Sequence, residues 1–196
     1  TVKAVIDSGS TDTVGGTVGL SAIAGSSVDA LAVGVAVSTA VSNPEEGLSI
    51  SLSGAGASAI NDIHNTVAAQ LGASGGGRSQ VNAAGAVTLS ATDAATIGAN
   101  VPAIAVSLST GGSFSIGVSL SQNTIRSTLD ASVDNAGLDI VAGNLALTAN
   151  STAGVEAKLS PVSAAIGFVA AAISGGYGTS TVDGSTTAGL GGGADV

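Results

Sequence analysis

Three segments of the chain align without gaps: VGLSAIAGSSVDA from Val18, VTLSATDAATIGA from Val87 and LALTANSTAGVEA from Leu145. Their starts are 69 and 58 residues apart. Residues 1–22 likewise lie on residues 128–149, where Thr1, Ala4, Asp7, Asp12, Val14, Gly16, Leu20 and Ala22 recur 127 positions later. A second block follows the first two copies: NDIHNTVAAQLG from Asn61 and NTIRSTLDASVD from Asn123. The third copy lacks this Asn-x-Ile block and reaches STVDGSTTAG (180–189) by a shorter path. In such an array each copy buries its apolar face only by stacking on its neighbours. The spacing predicts one continuous array over 1–196, with copies near 18–86, 87–144 and 145–196; residues 1–17 form the tail of a preceding copy. The Gly-rich stretch GASGGGRSQ (72–80) lengthens the first copy and reads as a surface loop.

Within the copies, apolar residues alternate. In AIAVSLSTGGSFSIGVSLS (103–121) one parity holds Ile104, Val106, Leu108, Phe114, Ile116, Val118 and Leu120, and the other only Ala, Ser and Gly. The pattern recurs through Leu31, Val33, Val35, Val37, Thr39 and Val41, again at Leu48, Ile50 and Leu52, and more weakly at Val162, Ala164, Ile166 and Phe168. A period of two predicts strands, and the β-branched residues suit a pleated surface. TGG (110–112) and NPEEG (43–47) supply turn chemistry between paired strands. The large-residue face then reads as the hydrophobic interior. The small-residue face reads as a surface that a second backbone layer approaches closely. The expected fold is all-β: a repeat-built parallel β-solenoid with extended hairpins. Each repeat would make two rungs of about 29 residues, half of the 58-residue spacing. An antiparallel β-sandwich made from the same hairpins is the alternative.

Composition limits the partners. Hydrophobic residues make up 44% of the chain but aromatic residues only 2%, so the core must rest on many small contacts. A net charge of −9 disfavours nucleic acid, which needs a basic face, and anionic lipid. The absence of cysteine excludes disulfides and thiolate metal sites. The apolar runs at 30–41 and 162–173 fall short of the ~20 residues of a spanning helix, so no membrane-spanning helix is expected. With no initiating Met and no signal peptide, the sequence reads as a piece of a longer or processed chain. Only four basic residues offer cleavage sites to trypsin-like proteases, which suits exposure outside the cell.

No arrangement of residues announces catalysis. His64 is the only histidine and aligns with Arg126 in the next copy, so the position reads as exposed and polar. Ser-His-Asp chemistry has no nucleophile elbow to support it. Asp7 and Asp12 coincide with Asp134 and Asp139, and Asp183 follows the first of each pair. Oxygen ligands at recurring turns leave Ca2+ open, but each turn offers only one or two carboxylates where six to eight oxygens are needed. The nonapeptide calcium signature is only approached, in LGGGAD ending at Asp195. Turn Asp and Asn residues also serve by bonding the local backbone. Glu45 and Glu46 lack the aromatic sugar cleft of a glycosidase, since Tyr177, Phe114 and Phe168 are the only aromatics. Gly75–Gly77 followed by Arg78 lacks the Gly-Lys-Ser/Thr end of a phosphate loop. No catalytic, cofactor-binding or metal residue is expected, and the chain reads as a non-enzyme.

Blocks such as VDNAGLDIVAGNLALTA and VNAAGAVTLSATDAATI, joined by VGVAVSTAVS or FSIGVSLSQNTI, resemble the β-strand repeats of giant secreted bacterial exoproteins. Filamentous-haemagglutinin-like proteins and leukotoxin-type filamentous adhesins are the families in question. The resemblance implies an extracellular or cell-surface structural segment. It would act as scaffold and self-association surface through stacked β faces, its partners being further copies of itself or adjacent repeats. A Ca2+- or ice-binding repeat module and the membrane-inserting hairpins of a secreted toxin are the other readings.

Overall fold

The computed structural model describes residues 1–7, 9, 11–42, 45, 47, 49–72 and 77–196. The expected turn at 43–47 is therefore described only at Glu45 and Gly47. Leu48 and residues 73–76 of the Gly-rich stretch lie outside the described residues.

Every regular element among the described residues is a strand. In chain order these are β1 (Val2–Ile6), β2 (Thr11–Val14), β3 (Val18–Ala24), β4 (Ser27–Leu31), β5 (Gly34–Ala40), β6 (Ile50–Leu71), β7 (Ser79–Ala83), β8 (Val87–Ser109), β9 (Gly112–Val133), β10 (Ala136–Ile140), β11 (Leu145–Ile166) and β12 (Val169–Leu190). They form three sheets. A front sheet runs β1-β6-β9-β12, a base runs β2-β7-β10, and a back sheet stacks β3, β4 and β5 on β8 and then β11. All pairings are parallel and nearly gapless: Val18, Val87 and Leu145 stand in one ladder, as do Ile50, Gly112 and Val169. The fold is a parallel β-solenoid. The first back strand is interrupted twice, and the second break has a local cause: the gap between β4 and β5 falls opposite Pro102, which has no N–H to give the ladder.

Two details of the sequence reading change. Each repeat makes one coil, not two rungs of 29: a long back strand, a long front strand and, in the first two repeats, a short base strand. The expected hairpins are corners. Residues 110–111 link β8 to β9, which lie in different sheets and do not pair, so the antiparallel sandwich is not formed. A tight turn passes the chain from one face of the coil to the other, and each strand's hydrogen bonds go to the coils before and after it.

The third change is an inversion. Along β8 the odd-numbered residues face inward without a break from Val87 to Ser109, and along β9 the odd-numbered residues do so from Ser113 to Val133. Inside therefore stand Ala103, Ala105, Ser107, Ser113, Ser115 and Ser119, all buried, while Ile104, Leu108, Ile116, Val118 and Leu120 point outward. The large-residue face of 103–121 is the exterior. The cause is the taper of the coil. At the base end three sheets enclose a space wide enough for Val67, Leu71, Val81, Leu89, Leu129 and Val133, all fully buried. Toward the corner at 110–111 the front and back sheets converge until backbone meets backbone. A Cβ on Gly117 would lie 2.8 Å from the Val162 carbonyl oxygen, and one on Gly34 would lie 2.2 Å from that of Gly56. Only Gly, Ala and Ser fit such a gap.

Between the two ends, Ile63, Ile97 and Ile125 form a second apolar cluster. A polar tie separates it from the base core: buried Asp93 accepts from Asn65 Nδ2 at 2.6 Å and from Ser127 Oγ at 2.5 Å. Asn65 Oδ1 in turn accepts from Ser26 Oγ. At the front–base corner the chain turns through Asn135 at φ 49°, a left-handed conformation that Asn tolerates, with its Nδ2 donating to the Gly77 carbonyl.

Candidate functional site

Two surfaces are unusual for a folded chain, and both follow from the coil. The first is the pair of open ends. The front sheet ends at β12 and the back sheet at β11, each a 22-residue edge strand. At ~3.3 Å per residue such an edge is about 70 Å long. At the opposite end β3, β4 and β5 form the back edge, and β1 covers β6 only from Val67 to Leu71. Residues 50–66 of β6 thus also present an edge. Long, flat, open edges are templates for further pairing.

The second surface is the outside of the tapered half. Val35 (64% exposed), Val37 (66%), Leu52 (67%) and Ile166 (61%) stand in the open, where their inward-facing neighbours along the strand are only Gly, Ala and Ser. Residues 31–40, 101–109 and 159–166 contain no charge. Charges begin one row further toward the base, with Asp29 and Glu156 flanking Gly98 in one ladder and Lys158 in the next. Lys158 Nζ meets Glu156 Oε1 at 2.9 Å. This hydrogen bond holds the Glu156 carboxyl below the ordinary carboxylate range and raises the Lys158 ammonium above its own.

The residues singled out from sequence do not converge. His64 is exposed and lies in register with Arg126, whose guanidinium pairs with Asp62 at 3.3 Å. The gapless match of residues 1–22 slips by one in the base. Asp12 pairs with Val81 and through it with Leu138, while Asp139 pairs with Asn82 and through it with Thr13. Asp12 and Asp139 are therefore not equivalent. Asp183 sits mid-strand beside Arg126 in β12, not at a turn, because β12 follows β9 residue for residue. The third copy's path is thus not the shortcut expected from its sequence; Ser180 and Val182 take the places of Asn123 and Ile125. Asp134 does lie at a corner, accepting from Ser132 Oγ at 2.8 Å, and the Asp7 carbonyl accepts from Ser79 Oγ at 2.7 Å. Asp195 pairs with Arg78 at 3.3 Å. Glu45 is exposed; Glu46, Gly75 and Gly76 lie outside the described residues. Among the described residues no three His, Asp or Glu side chains come together as a metal site, and no helix is long and apolar enough to cross a membrane.

Strand-by-strand reading missed the Asp93–Asn65–Ser127 tie and the outward apolar rows. Parity was the signal for both. Asp93 shares its inward parity with Leu89 and Ile97, and Ile104 does not.

Comparison of the chain with family models, with curated proteins and with solved structures finds no match.

Proposed function

We propose that this chain is a structural segment of an extracellular bacterial adhesin or filament. It serves as scaffold and self-association surface, and its end coils accept further coils from adjacent repeats or from another copy. The observation that supports this reading is the constancy of register: three successive coils stack in parallel, in phase, and leave open edges of the same length as the strands already paired. A further coil meets the same hydrogen-bonding pattern as the last. An acidic surface with few basic residues and no cysteine suits a place outside the cell or on its surface. The fold itself carries no function, since solenoids host many.

Electron microscopy and sedimentation velocity of the chain over a concentration series test this. End-to-end growth gives rods that lengthen in the stacking direction, with a ~4.8 Å repeat along the rod. A compact species of one chain at every concentration overturns it.

A further inference from the structure

We propose that the tapered half of the back sheet is a lateral docking face for a second copy of this chain, which packs through the same face of its own across a two-fold axis. Three rows form the patch, running from Val35 to Ile104 to Val162, from Val37 through Val106, and along Leu108 to Ile166. Five of these seven residues are more than 40% exposed. The strands are parallel and in register, so identical rows can interdigitate with an opposing sheet as dry layers about 10 Å apart.

The shape and chemistry of the patch select this occupant. The front sheet's outer face is not flat: beside Ile116 and Val118, Gly175 leaves a groove of about 260 Å³ bordered by Ile173 and Tyr177. The three rows of the back-face patch contain no glycine, and the back sheet's own hollow lies beside them, at Gly98. Insertion into lipid would have to lead with the corner, where exposed Glu45 and the hydroxyls of Ser42, Ser49 and Thr110 gather. Those groups belong in water. Two copies of the back face bury apolar rows against each other while both corners stay wet.

Area sets the strength. The uncharged stretch that holds these rows, nine residues long in β8 (101–109) and three strands wide, covers about 400 Å² at ~3.3 Å per residue and ~4.8 Å between strands. A stable interface needs about 800 Å² per partner, so one chain pairs weakly and about six stacked coils pair firmly. Lateral pairing therefore deepens the self-association reading, since end-to-end growth supplies the missing area.

The cysteine-free sequence permits a direct test. Val106 occupies the middle row of the middle coil, so the two-fold places it opposite itself. Val106→Cys is expected to form a short bis-maleimide cross-link between chains at high protein concentration, and adding Val37→Lys should abolish it. Val118→Cys, on the front face, should not cross-link. Circular dichroism confirms that each variant keeps the fold, because all three positions point outward. Failure of Val106→Cys to cross-link, or equal cross-linking by Val118→Cys, overturns the proposal. Rods without the Val106→Cys link remove the lateral contact alone; linked pairs without rods remove the end contact alone.

Discussion

Ser127 on the front sheet donates its hydroxyl hydrogen to the carboxylate of Asp93 on the back sheet, across the interior of the coil, and Asn65 one coil earlier donates to the other oxygen. Asp93 is fully buried and stands in register with Ala24 and Ser151, so the tie is made once, at the middle of the stack. Asp93→Ala leaves the Asn65 amide and the Ser127 hydroxyl without an acceptor. The expected cost is about 3 kcal/mol, read as a lower urea midpoint with unchanged slope. An unchanged midpoint would show that the tie adds nothing to stability.

Ile116 and Ile125 lie nine residues apart in one strand and face opposite ways, Ile125 fully buried and Ile116 37% exposed. Ile125→Ala should cost about 3 kcal/mol through the cavity it opens, and Ile116→Ala about 1 kcal/mol or less. Equal losses would return the outward apolar rows to the core and remove the taper.

That pair also marks how far the sequence could be read. The repeat, the parallel solenoid and the two-residue period were legible because each depends on spacing alone. Which parity faces inward was not legible within 103–121 taken alone. The alternation from Ile104 to Leu120 tells large from small, but the choice depends on how far apart two sheets stand, and that distance is set at the base by Val81 and Leu138. Followed from Val87, the inward parity passes through Leu89, Asp93 and Ile97 to Ala103 without a bulge, so its large members end where the sheets meet. The open edges follow from the repeat; the Asp93 tie depends on Asn65 and Ser127, 28 and 34 residues away.

Where the sheets touch, some hydroxyls pair, as Ser38 does with Ser51, and others gain nothing. Ser115 Oγ is buried and has no hydrogen-bond partner. Ser115→Ala is expected to be neutral or stabilising by up to about 1 kcal/mol, since it removes an unsatisfied group without adding volume. Gly117→Ala, two residues away on the same face, drives a methyl against the Val162 and Ala103 carbonyls and should cost about 2 kcal/mol. Chemical denaturation of the two variants side by side checks both signs.

The Lys158–Glu156 pair gives a pH expectation. Glu156 has its pKa lowered, so its contribution is present above the unfolded carboxylate value and fades as pH falls through the lowered folded one. Lys158 has its pKa raised, so its contribution is present below the unfolded ammonium value and fades as pH rises through the raised one. The pair thus persists across the neutral range. Both side chains are exposed, so salt screens them and stability should not respond measurably. An NMR titration of the Glu156 carboxyl should move upward in Lys158→Ala; an unmoved titration rules out the contact in solution.

The strongest demand on the fold is that a coil be interchangeable. Residues 87–144 make one complete coil, entering at Val87 in register with Val18 and leaving where Leu145 takes up the same ladder. A second copy of 87–144 placed after residue 144 should therefore continue all three sheets without a new type of junction. Each added coil contributes its own folding term and one more interface. The lengthened chain should unfold in a single transition at a higher denaturant midpoint, with a steeper slope from the extra buried surface. Two separate transitions would mean that the inserted coil folds beside the stack instead of within it, and coil-to-coil continuity would then fail as the principle of this architecture.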